Sequence, residues 1–571
     1  MKKIILHFFT LLAPILASAQ EYANPLDIDL ILSSNFGEIR ENHFHSGLDF
    51  KTGNVEGKNV YSIESGYISR IYVSPTGYGN ALYIYHPTKG STSVYGHLRN
   101  FTPEIEAYVR KYQYRNKRFF ADLYPDKTAF PVEKGELVAY SGNSGSSGGP
   151  HLHFEIRNAN NEPVSILRNT AFMAKNAARM VKDEICPTIH SVSLVRVDTV
   201  RGVPIHTTYK KVNATKVGNT YKLANDTLGI QAASYFVIEV SERKTGTSNI
   251  FGIYSMDVLR SGNPFFSFKL DKVSFGNTRY INTFCKFPET SENRNDKIRT
   301  YISPNNKLHI YGKVENRGVV KPQSINDVET ISVEISDDDN NKATLEFSIK
   351  ADIKENSVTL SDAGLPIWWK NGASTKVGDL KIEVPALALY ESELLDIVEQ
   401  PKSTKTVSNI YIAGNKDTKL QKSITLTFDI DSISSVDRSK LTIVSIDSKG
   451  KFSSKGGSVS GNKIIAKVSN FGTYALALDS TAPTVTPKYN TAETQSGKTY
   501  LSFKIDDELS GIKTYSATIN DKWALLEYDP KTKSVMHPLA DGIAQKGNNT
   551  IQVTITDSVG NIGTYKGTFI Y

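Results

Sequence analysis

Apolar and polar positions alternate with a period of two along most of this chain, and the turns between the runs change character partway. From residue 27 to 176 the turns are rich in glycine. The runs Leu30 to Ser33, Val60 to Ile63, Tyr67 to Val73, Ala81 to Tyr85, Thr92 to Tyr95, Leu137 to Tyr140 and His151 to Ile156 predict short strands. Together they predict an antiparallel β domain over 20–176. Pro103 to Arg118 breaks the alternation, with Ile105, Val109 and Tyr112 spaced by four and three. Thr102 is a candidate N-cap, and Glu104 and Glu106 complement the helix dipole. This predicts a helical insertion over 103–118.

From Pro187 onward Thr, Ser, Val, Ile and Asp replace the glycine-rich spacing. Similar strands recur, each ending in an acidic turn: Phe236 to Ser241 before Glu242, Ile331 to Ser336 before Asp337, Leu501 to Ile505 before Asp506, and Ile551 to Thr556 before Asp557. Pro187-Thr188-Ile189 and Pro483-Thr484-Val485 open two segments alike. These weak repeats predict β-sandwich domains of immunoglobulin-like type, divided near 187–300, 301–375, 376–480 and 481–571. The expected fold class is therefore mainly β. The acidic run Asp337 to Asn341 reads as a solvated hairpin turn in preference to a calcium loop. Trp368 and Trp369 read as a surface tryptophan beside a core one.

A chain of 571 residues is too long for one core and suits several domains. The net charge of +8 comes without a dense basic face, which argues against nucleic acid as a partner. Lys2 and Lys3, the apolar run Ile4 to Leu16, and Ala17-Ser18-Ala19 form a signal-peptide pattern over 1–19, with cleavage expected after Ala19. No later apolar run is long enough to span a bilayer, so the mature chain is expected to be exported and not membrane-spanning. Cys186 and Cys285 have no neighbouring Cys at zinc-site spacing, which excludes a Cys-based metal site. A disulfide between them and two free thiols both fit the sequence.

Six of the eleven histidines fall between residues 43 and 153, and three local patterns contain most of them. In His45-Ser-Gly-Leu-Asp49, an imidazole and a carboxylate are separated by a glycine-containing gap that lets both turn toward one ion. In His151-Leu-His-Phe-Glu155, strand parity points His151 and His153 the same way and sends Leu152 and Phe154 to the packed face. The preceding loop, Gly142 to Pro150, lacks the lysine and the following helix of a phosphate loop. The third pattern, Tyr95-Gly-His97, ends a predicted strand. Zinc hydrolases use three protein ligands and a fourth position for water, plus a base and an oxyanion donor. This segment supplies enough groups for all of these.

In this order, HSGLD, YGHL and GGPHLHFEIRN resemble the lysostaphin/LytM-type zinc endopeptidases that cut peptidoglycan peptides. The resemblance covers about residues 27–176. It implies a Zn2+ site held by His45, Asp49 and His153, with His97 and His151 assisting catalysis. Two departures stand out: the helical insertion, and the lack of a tyrosine between Gly37 and Phe44, where some family members use one. His43 and His86 match no family role and read as structural. Glu155 reads as a hydrogen-bonding support.

The expected function is a secreted zinc metalloendopeptidase, in the periplasm or at the cell surface, that cleaves stem peptides or crosslinks of peptidoglycan. The alternative is a non-catalytic envelope scaffold or activator of other wall hydrolases, with the β-sandwich tail binding partners.

Overall fold

The computed structural model describes residues 21–571 except 219, 287–294, 322–326, 353–362, 434–435 and 491–492. The expected signal peptide, 1–19, lies outside the described residues. The chain is mainly β, as its alternation predicts.

The first unit is a ten-stranded sheet. Its central ladder places Leu48–Lys51, His151–Arg157, Ser91–Phe101, Asn80–His86 and Gly66–Val73 side by side, all antiparallel. Leu152 and Phe154 are fully buried, and Phe154 packs against Phe50, Tyr95 and Phe172. That packed face fixes the opposite face, where His151 and His153 emerge. Leu48–Lys51 is a strand that alternation does not reveal, because Leu48, Asp49 and Phe50 are all buried.

The predicted helix spans Pro103–Asn116 and buries Ile105, Val109 and Gln113. Thr102 precedes it in an extended conformation but makes no side-chain cap; Glu106 instead accepts from the Phe101 N–H at 3.3 Å. The helix reaches the far end of the chain. Arg110 pairs with Glu527 at 2.6 Å, and Tyr114 packs edge-on against Trp523.

Residues 188–351 form one sheet of eleven strands. Asp296–Arg299 and Tyr311–Val314 both belong to it, so the boundary expected at 300/301 falls within a single unit. The boundary expected at 375/376 cuts the strand Ala373–Val377, which pairs with Leu380–Val384. Turn composition changes little at either point, and strand pairing across long intervals decides where the units end. Two five-stranded sheets then enclose a core that includes Leu380, Leu426 and Leu476. Two four-stranded sheets form the last unit around Phe503, Ile519 and Val553.

The first two units share one continuous apolar core, in which Phe44 packs against Phe284. Asn35 joins them with a pair of 2.9 Å hydrogen bonds, donating to the Gly252 carbonyl and accepting from its N–H. Cys186 is exposed and Cys285 buried, and both are free thiols. Trp368 is exposed, whereas Trp369 packs against the third unit's core. No helix among the described residues is long and apolar enough to cross a membrane.

Candidate metal centre

Sheet register assembles the centre. The strand His151–Arg157 lies between Leu48–Lys51 and Ser91–Phe101, which sets His153 opposite Asp49 on one side and Gly96 on the other. A Cβ on residue 96 would lie 3.3 Å from the His153 Cβ and 3.4 Å from its ring, so glycine there leaves room for the imidazole. A Cβ on Gly47 would meet the Phe154 carbonyl oxygen at 2.3 Å, so the turn between His45 and Asp49 also requires glycine.

Three donor atoms converge. Asp49 Oδ1 lies 3.1 Å from His45 Nε2 and 2.8 Å from His153 Nδ1, and those two nitrogens are 3.0 Å apart. All three residues are buried. Two imidazole nitrogens and one carboxylate oxygen form a donor set suited to zinc, and they can hold a metal ion together.

Each donor residue is oriented from behind. His45 Nδ1–H donates to the Asn35 carbonyl at 2.7 Å, which leaves Nε2 as the inward lone pair. His153 turns Nε2 toward Glu155 Oε1 at 2.8 Å, and Asp49 Oδ2 accepts from Arg40 at 3.2 Å. Glu155 also accepts from Ser46 and from the Tyr78 hydroxyl, each at 2.6 Å, and pairs with Arg157 at 2.6 Å. It therefore supports His153 from the side away from the donor cluster.

Charge follows this geometry. Burial opposes the Asp49 carboxylate, yet His45, His151 and His153 hold it well below the usual carboxylate range. Burial also opposes charge on His153, but hydrogen bonds with Asp49 and Glu155 push it up to about 9 in the metal-free chain.

His151 and His97 complete the centre. His151 Nδ1–H donates to the Gly149 carbonyl at 2.8 Å, and its Nε2 lies 3.5 Å from Asp49 Oδ1. His97 Nδ1–H donates to the Ser144 carbonyl at 2.9 Å. Carbonyls only accept, so the neutral form of each imidazole carries its proton on Nδ1. Their ring centroids are 4.8 Å apart. Burial, followed by the neighbouring His153 and His151, lowers the pKa of His97 to about 3. His97 holds a left-handed φ of 57°, a backbone strain placed beside the ligands.

All five residues singled out by sequence thus meet in one place. His43 is exposed and its ring bonds to the neighbouring Glu41 carbonyl, while the buried His86 is satisfied by Ser93 and the Ser65 carbonyl. Sequence reading passed over Tyr78, Arg40 and Asn35. Tyr78 packs its ring 5.2 Å from that of His153, although no tyrosine lies directly ahead of His45. Its only sequence signal was a turn, Gly77-Tyr78-Gly79, between two strands.

A family model described as a Zu5-like domain matches residues 366–479. No curated protein matches the chain. Among solved structures, it is similar to a zinc-containing peptidase from Vibrio cholerae at 26% identity, covering 26% of this chain and 39% of that one, with a TM-score of 0.19. A mutant catalytic domain of the prophage-encoded protein EnpA from Enterococcus faecalis is 21% identical, with 26% and 95% covered and a TM-score of 0.19. The catalytic domain of lysostaphin from Staphylococcus simulans is 24% identical, with 22% and 76% covered and a TM-score of 0.16. The chain spans about two fifths of the length of the Vibrio cholerae peptidase.

Proposed function

We propose that this chain is an exported zinc metalloendopeptidase acting on the peptides of bacterial peptidoglycan. The observation that carries the reading is the convergence of His45 Nε2, Asp49 Oδ1 and His153 Nδ1 beside two imidazoles whose Nδ1 atoms are held by backbone carbonyls. When bound, zinc supplies a Lewis acid that polarises a carbonyl and brings the pKa of water toward ~7.

The chain's own groups do the rest. Both His97 and His151 are set as proton acceptors by the backbone carbonyls behind them. The one that takes the water's proton becomes an imidazolium, able to donate to the developing oxyanion and then to the leaving amine. The Gly142 to Pro150 loop supplies those backbone carbonyls and flanks the pair with little side-chain bulk, which suits an extended peptide. The substrate class follows from the HSGLD, YGHL and GGPHLHFEIRN motifs, and export from the signal-peptide pattern.

Zinc content and clearing of a cell-wall suspension test the reading in three proteins. Wild type binds one zinc at this centre and clears. Asp49→Ala loses both properties. His151→Ala keeps the metal but loses clearing. Wild-type protein that binds no zinc overturns the proposal.

A further inference from the structure

The acidic strand ends of the tail pair up in space, and they do so twice. In the second unit, Thr188 pairs with Ser241, so Glu242 is the next residue beyond the ladder; Asp183 lies five residues before that strand opens. In the last unit, Thr484 pairs with Asp506, so Asp507 takes the same place; Asp479 again lies five residues before the strand. A hairpin turn completes each group. Asn341 donates to Asp337 at 2.8 Å and to the Asp183 carbonyl at 3.2 Å. Asn561 donates to Asp557 at 2.7 Å and to the Asp479 carbonyl at 3.0 Å.

The carboxylates converge. Ligand oxygens of Asp183, Asp337 and Asp339 lie within 4.8 Å of one another, as do those of Asp479, Asp507 and Asp557. Beside the first group, Glu242 is fully buried, and among the described residues neither of its carboxylate oxygens has a hydrogen-bond partner. One ammonium, Lys244, reaches Asp339 at 2.8 Å and Asp183 at 3.2 Å, and among the described residues it makes no direct ion pair with Asp337 or Glu242. In the last unit, Leu509 occupies the position equivalent to Lys244. There, Asp507 Oδ1 and the buried Ser510 hydroxyl also lack partners among the described residues. Buried, unpaired carboxylate oxygens are costly unless a cation meets them.

We propose that these two groups are equivalent calcium sites, one at the entry to the second unit and one at the entry to the last. The donors are all hard oxygens, the ligand class of calcium and not of zinc. Each ion would tie the incoming segment, at Asp183 or Asp479, to a strand end and a hairpin turn. The unit would then meet its predecessor at a fixed angle. In the first group, Asp338 accepts from Asn35, whose carbonyl orients His45, so that ion would also brace the peptidase unit.

The test is a calcium titration of the full mature chain, already saturated with zinc, followed by terbium luminescence and thermal unfolding. Wild type should take up two calcium ions and unfold at a higher temperature with them. Glu242→Gln and Asp507→Asn should each retain one, and the double variant none. Asp49→Ala should keep both, which separates this result from the zinc site. No saturable uptake by wild type at about 10 mM calcium, far above typical extracellular-module affinities, overturns the proposal. So does a stoichiometry that neither variant changes.

Discussion

The carbonyl oxygen of Asn35 lies 2.7 Å from Nδ1 of His45, and the side chain of the same asparagine is bonded to Gly252 in the following domain. One residue therefore sets the tautomer of a proposed metal ligand and anchors it to the neighbouring unit. Asn35→Ala keeps the carbonyl but releases the anchor. Stability should fall by about 1–3 kcal/mol, from buried partners left unmade, and zinc affinity by about tenfold. Thermal unfolding of the metal-free protein and chelator competition measure the two effects.

Glu155 bears on His153 from behind. In Glu155→Gln, Arg157 loses its buried partner, and His153 loses the carboxylate that holds its outer nitrogen. Breaking such a pair costs about 3–5 kcal/mol. The denaturant midpoint should drop accordingly, and zinc affinity should fall by about 10–100-fold.

Acidity should oppose metal loading. His153 holds a proton in the metal-free chain up to about pH 9, and the ion must displace it. Zinc affinity should rise as pH increases from 6 to 9, measured by competition with a chelator of known pH dependence. For the metal-free chain the linkage runs the other way. A pKa raised from 6.5 to about 9 gives stability that is fully present below 6.5 and lost as pH rises through 9. Metal-free protein should unfold more easily at pH 9 than at pH 6.

Gly96→Ala should act on geometry alone. The added methyl meets His153 at 3.3–3.4 Å, so the ring must shift by a few tenths of an ångström. Folding should survive, while kcat/KM falls on the order of tenfold through misplacement of the ligand.

The last unit touches the rim of the centre. Lys531 reaches the carbonyls of Asn143 and Ser147, in the loop whose Ser144 and Gly149 carbonyls orient His97 and His151. Lys531→Ala should alter KM for large wall fragments more than it alters zinc content, as read from steady-state kinetics beside metal analysis.

Much of the centre was legible in the sequence because strand parity is a local rule. Placing His151 and His153 on one face requires only that Leu152 and Phe154 be packed, and both are fully buried. Asp49 was identified by its motif, but its strand was hidden because Leu48 and Phe50 are buried along with it, which erases alternation. Tyr78, Arg40 and Asn35 act through contacts fixed only by tertiary packing, and no local pattern marks them. The divisions at 300/301 and 375/376 failed for a related reason. Strands such as Asp296–Arg299 pair with partners far away in sequence, and composition does not register that pairing. The acidic strand ends were visible as separate turns, whereas their convergence on Asp183 and Asp479 required the fold.

The central claim is tested most directly by digesting purified peptidoglycan with the zinc-loaded mature chain and reading the released fragments by mass spectrometry. The account predicts new peptide termini, absent with Asp49→Ala and with His151→Ala. Wild-type protein that holds zinc at this centre yet releases no new termini from any peptidoglycan chemotype would contradict it.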